Sequence, residues 1–172
     1  AEKGSATLHP LPDSMANFFF TDPPYYDAIA YADLSDFFYI WLKRSLGELY
    51  QSLFHSELTT KDGECIVNKS SGKSREYFEQ TTQKAMEEGR RILLQNGLGV
   101  VVFAHKSTSG WESQLNAMIK AGWIITASWP IDTEMANKVS AIGQARLMSS
   151  IHLVCRPREN ADGSVTSDIG DW

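Results

Sequence analysis

The sequence predicts an α/β fold whose sheet is mainly parallel with an antiparallel last strand. Three observations carry this. Short apolar runs alternate along the chain with longer amphipathic ones. Leu98-Gly99-Val100-Val101-Val102-Phe103-Ala104 is apolar throughout, the pattern of a strand buried on both faces. The last two strand-like runs, 123–130 and 149–156, have no full helix between them, so one of them runs antiparallel.

Taken in order, His9-Pro10-Leu11-Pro12-Asp13-Ser14 is a loop. Ala16 to Thr21 follows as a buried aromatic strand, ended by Asp22-Pro23-Pro24 because proline cannot donate to a ladder. Tyr31 to Asp36 lead into a helix over Phe37 to Leu53, with Asp33 as N-cap and Asp36 in the first turn. Its apolar residues recur at helical spacing. Phe37, Phe38 and Trp41 are therefore expected in the core rather than on a base-stacking surface. Residues 55–74 are polar and irregular, a long mobile loop. Within it, Lys69 to Lys73 reads as a solvated linker. Ser71-Gly72-Lys73-Ser74 lacks the strand and glycine spacing of a phosphate-binding loop. A second helix spans Arg75 to Gln95, with Tyr77, Phe78, Ala85, Met86, Ile92 and Leu93 inward and Asn96-Gly97 ending it. After the valine-rich strand, Gly110-Trp111 opens a third helix that runs to Ala121 and ends at Gly122. Glu134 to Met148 is a loop with some helical character, and its Arg146 reads as a solvated arginine. Residues 1–158 form one domain, and 159–172 a polar tail.

The bulk numbers exclude several classes. At 172 residues, with 42% hydrophobic and 22% charged side chains, the chain suits one globular domain. It has no run long enough to span a membrane and no apolar segment of a secretory signal near its start, so a cytoplasmic location is expected. The lack of an initiating Met suggests a processed or truncated chain. Cys65 and Cys155 are far apart, and the four histidines are scattered, so neither a disulfide nor a metal site is expected. A net charge of −5 argues mildly against a domain that grips nucleic acid alone, because phosphate contacts need a basic surface.

The most informative segment is Asp22-Pro23-Pro24-Tyr25, followed by Tyr26. Asp22 offers a carboxylate acceptor. The Pro23 carbonyl offers a second, held rigid by the fixed φ of both prolines. Tyr25 offers a flat face for stacking. Two convergent acceptors beside a ring suit an exocyclic amino group on a planar base. The bland alternative is a strand that ends in a proline turn with Tyr25 as packing.

This segment resembles the [DNS]PP[YF] motif of amino-methyltransferases, which methylate an exocyclic nitrogen of a base using S-adenosylmethionine. The layout over residues 13–157 is similar to the second half of a class I methyltransferase. More narrowly, Asp22 to Tyr26, the stretch from Tyr31 to Arg44 and Ala145 to Pro157 resemble large prokaryotic adenine-specific DNA methylases, some with a zinc ribbon. The resemblance implies a Rossmann-like sheet in which the motif strand is the fourth of seven and 149–156 the antiparallel seventh. It implies Asp22, Pro23, Pro24 and Tyr25 as the catalytic group, Tyr25, Tyr26 and Tyr31 as base-binding residues, and Asp22 and His105 on the cofactor side. It implies S-adenosylmethionine as cofactor and DNA as partner. The family's glycine-rich cofactor loop should precede the motif strand. It does not, so the cofactor-loop half is expected to be missing and the open sheet edge to promote self-association. Gly97-Leu98-Gly99 lies before a strand and reads as turn chemistry. The first reading is methylation of adenine N6 in DNA. The alternatives are an RNA base amino-methyltransferase and a non-catalytic nucleic-acid-binding or interaction module of the same fold. An FxGxG strand-turn upstream of Ala1 in the gene would separate the enzyme readings from the last.

Overall fold

The structure, a computed structural model, describes residues 4–132 and 149–158. Its strands are β1 (Ala16–Thr21), β2 (Leu93–Phe103), β3 (Trp123–Asp132) and β4 (Ser149–Pro157). Its α-helices are α1 (Tyr31–Leu46), α2 (Arg75–Ile92) and α3 (Thr108–Lys120), with a 3-10 turn at Lys69–Ser71. The four strands form one mixed sheet in the order β1-β2-β4-β3. β1 and β2 pair in parallel, while β4 runs antiparallel to both β2 and β3. The expected antiparallel last strand is therefore present. Because it lies between β2 and β3, only one ladder is parallel, although β1, β2 and β3 share a direction.

One face of the sheet carries the main core. Met86 of α2 and Met118 of α3 meet Val101, Leu153, Cys155 and Trp123, with Phe19 packed alongside. Two glycines make this contact possible. A Cβ on Gly99 would come within 2.6 Å of the Trp123 ring, and one on Gly89 within 2.5 Å of the Phe19 ring. The Phe19 and Trp123 rings stack at 5.8 Å, and the Trp123 indole N–H donates to the Met86 carbonyl. A second, smaller cluster joins Tyr26, Phe78 and Phe103 under the motif loop.

The structure corrects five sequence expectations. β1 is an edge strand rather than one buried on both faces: Phe18 and Phe20 are 52% and 54% exposed, and of its three phenylalanines only Phe19 packs on the core. The helix expected over Phe37 to Leu53 starts six residues earlier, at Tyr31, and ends at Leu46. Its N-cap is Ala30, without a side-chain cap, so Asp33 lies inside the first turn. Phe37, Phe38 and Trp41 are not core; none of the α1 residues is buried. The cause is tertiary. The amphipathic period is real, but α1 is held by the 55–64 loop rather than laid on the sheet. Thr59 and Lys61 donate to Asp36, the Ala32 N–H donates to Glu64, and the Tyr39 hydroxyl donates to the Ser56 carbonyl.

The end of α2 is the fifth. The helix stops at Ile92, and Asn96-Gly97 lies inside β2. The β1–β2 register slips there, between Ala16↔Leu93 and Phe18↔Leu98. The Asn-Gly turn signal is thus expressed as a bulge whose two carbonyls accept from the Arg156 guanidinium. Cys65 and Cys155 are both free thiols. Arg146, the 134–148 loop and the polar tail lie outside the described residues. Among the described residues, no helix is long and apolar enough to cross a membrane.

Candidate active site

Thr21 is the last residue of β1, and Asp22 leaves the sheet beyond its pairing with β2. Parallel strands leave their ligand-binding residues at this carboxyl end. Pro23 and Pro24 then extend the chain rigidly. The Pro24 carbonyl accepts from the Tyr26 N–H at 3.1 Å, and the Tyr25 carbonyl from the Ala28 N–H at 2.9 Å. Among the described residues, no hydrogen bond reaches the Pro23 carbonyl.

Asp22, Pro23, Pro24, Tyr25 and Tyr31 line one recess of about 270 Å³. Asp22 is exposed and Tyr25 half-buried. The Tyr25 ring packs edge-on against Phe103 at 5.4 Å. Burial first, then the interaction of its hydroxyl with Asp22, push the Tyr25 pKa far up. Burial and then the charge of Asp22 also raise Tyr31. An acid, a proline pair with one carbonyl free of hydrogen bonds among the described residues, and two protonated phenols therefore line one small recess. It can hold a planar group that carries an amino function.

Asp22, Pro23 and Pro24 also border a second cleft of about 530 Å³ on the α2 side. Phe19, Phe20, Met86 and Gly89 form its apolar wall, and Thr7, His9, Thr82 and Lys84 its polar rim. The motif thus stands as a partition between two cavities.

The structure brings Asp22, Pro23, Pro24, Tyr25 and Tyr31 together and leaves Tyr26 and His105 outside the recess. Tyr26 turns into the core at 8% exposure, its ring edge-on to Phe78 and to His105. Its φ is +56°, a left-handed conformation that costs an L-residue about 1–2 kcal/mol. His105 is 4% exposed, with both ring nitrogens engaged. Nε2 lies 2.9 Å from Asp27 Oδ1, and Nδ1 lies 2.8 Å from Ser107 Oγ.

Asp27 and Ser107 escaped the sequence reasoning, and Gly110 reads there only as the start of a helix. Ser107 carried a usable signal, a serine placed to cap α3; its hydroxyl accepts from the Gly110 N–H. Asp27 carried none, because its partner is 78 residues away. Lys73 is likewise unexpected. It is buried rather than a solvated linker residue, and its ammonium donates to the carbonyls of Lys61 and Glu64.

No family model matches the chain, and no curated protein is significantly similar to it. Its function is argued from the site itself.

Among the described residues, the Gly97-Leu98-Gly99 segment offers no cradle for a nucleotide-like cofactor. Gly97 and Gly99 lie within β2, and the space beside them is filled by Leu93 and by Trp123 with Cys155. Among the described residues there is also no group of three or more side chains fit to hold a metal ion.

Proposed function

We propose that this chain carries the acceptor side of an S-adenosylmethionine-dependent amino-methyltransferase acting on a nucleic-acid base, with N6 of adenine in DNA as the first substrate. One observation carries the reading: Asp22, Pro23 and Tyr25 line one recess, and among the described residues no hydrogen bond reaches the Pro23 carbonyl. The Rossmann-like class I arrangement belongs to the same reading. It is supported by β1 ending at the motif and by the antiparallel position of β4.

The chemistry follows from the acceptors. An exocyclic amino nitrogen is a poor nucleophile because its lone pair is delocalised into the ring. Asp22 and the Pro23 carbonyl accept its two N–H hydrogens and draw the nitrogen toward tetrahedral geometry. Its lone pair then points out of the base plane. Fixed acceptors do this without reorganising, which is where such sites gain rate. Tyr25 holds a base that has left its stack, at about 1–3 kcal/mol per stacked base. S-adenosylmethionine, when bound, would supply the methyl group; the described residues supply the acceptors and the stacking ring.

The test is transfer of labelled methyl from S-adenosylmethionine by the full-length protein, onto separate DNA and RNA pools. Asp22→Ala is expected to abolish transfer. Near wild-type turnover in that variant sinks the assignment. Label in the RNA pool alone moves the substrate to RNA. No transfer to either pool favours a binding module that keeps only the fold.

A further inference from the structure

We propose that Asp27, His105 and Ser107 form a clasp that positions Tyr25 and the Pro23 carbonyl by locking Tyr26 in its left-handed conformation. The inference rests on the reading of the recess as an amino-acceptor site.

The problem the clasp solves is visible in the backbone. A bulky aromatic at φ +56° is unstable alone and persists only where its surroundings over-determine it. Here they do so from four sides. The Tyr26 ring sits between Phe78 and His105. Its N–H donates to the Pro24 carbonyl, and its carbonyl accepts from the Val67 N–H at 3.0 Å. The next residue, Asp27, reaches His105.

The clasp has a defined polarity. The Ser107 backbone N–H donates to His105 Nδ1 at 3.1 Å, which makes Nδ1 an acceptor and places the ring proton on Nε2. Nε2–H then donates to Asp27. Ser107 is in turn the N-cap of α3. The Trp111 indole N–H donates to the His105 carbonyl and holds the strand end. Gly110 completes the seat, since a Cβ there would lie 2.3 Å from His105 Nδ1. The motif loop is therefore tied to β2 and to the start of α3 through one imidazole. Tyr25 precedes the locked residue directly, so a change at Tyr26 rotates the Tyr25 ring and the Pro-Pro unit behind it.

Asp27, His105 and Ser107 act here as positioning residues, because none of them lines the recess. The test has two arms on the full-length protein. In the first, 3-fluorotyrosine is placed at Tyr25 and followed by fluorine NMR. Asp27→Ala, His105→Asn and Gly110→Ala are expected to shift or split its line. Asp27→Asn and His105→Gln, which keep the link between the two side chains, are expected to restore it. In the second arm, methyl transfer is measured. The damaging variants are expected to lower kcat by up to about 100-fold, with cofactor KM little changed. The Asp27→Ala/His105→Asn double variant is expected to be no worse than either single one. An unmoved Tyr25 line in variants that merely melt earlier overturns the clasp, as do additive losses in the double variant. A moved Tyr25 line in a protein whose wild type transfers no methyl leaves the clasp standing and removes the amino-acceptor reading.

Discussion

Burial first, then the nearby Asp22, keep the Tyr25 hydroxyl protonated, so the residue offers a ring face and a neutral hydroxyl to the recess. This separates two roles of one residue. Tyr25→Ala removes the stacking face and is expected to weaken nucleic-acid binding by about 1–3 kcal/mol. Tyr25→Phe keeps the face and removes only the hydroxyl, so it is expected to bind like wild type. Equilibrium binding of both variants decides the matter: equal loss in the two would make the hydroxyl, not stacking, the important feature. The motif itself was legible because its chemistry lies in four consecutive residues. The inward turn of Tyr26 was not, since adjacent tyrosines differ here only through a left-handed backbone set by Phe78, Val67 and His105.

At the level of elements, α2 and α1 both carry a helical apolar period and have opposite fates. Phe78 of α2 is fully buried, whereas Phe37 of α1 is 64% exposed. Phe78→Ala is expected to destabilise by about 3–5 kcal/mol, and Phe37→Ala to stay within about 0.5 kcal/mol. Denaturant titration of both variants checks the contrast, and similar losses would show that α1 is packed in solution. The tether of α1 is also acid-sensitive. Hydrogen bonds from Lys61 first, then from Thr59, lower the Asp36 pKa from the ordinary 3.8 to about 2. A depressed carboxylate stabilises above its unfolded value and loses that contribution as pH falls through its folded one. The α1 tether is thus expected to be intact above pH 3.8 and to loosen toward about 2. Exchange protection of the Thr59 amide, which donates to Asp36, reports it; protection that is constant across this range would refute the tether.

At the scale of the whole molecule, two unsatisfied surfaces stand out. β1 is an edge strand with one paired side and with Phe18 and Phe20 exposed. The α1 face adds Leu34, Phe37, Phe38 and Trp41, each more than half exposed. An open strand edge and a large exposed apolar surface each template association. This chain alone is expected to self-associate at micromolar concentration, and a monodisperse monomer by light scattering would count against it.

What the sequence determined by itself was local. The aromatic strand running into Asp-Pro-Pro-Tyr, the valine-rich β2 and the helical period of α2 each follow from the order of side chains within a few residues. The antiparallel last strand followed from the lack of a full helical pattern in the sequence between the last two strand-like runs. The tertiary structure alone decided which apolar faces were covered. It laid α2 on the sheet through the missing Cβ of Gly89, left α1 uncovered, and made Asn96-Gly97 a bulge instead of a helix end. It also joined Asp27 to His105 across 78 residues. The physical reason is the same in each case. Periodicity says that a face is apolar, but burial and hydrogen bonding need a partner, and the partner's place is set by chain topology rather than by neighbouring residues.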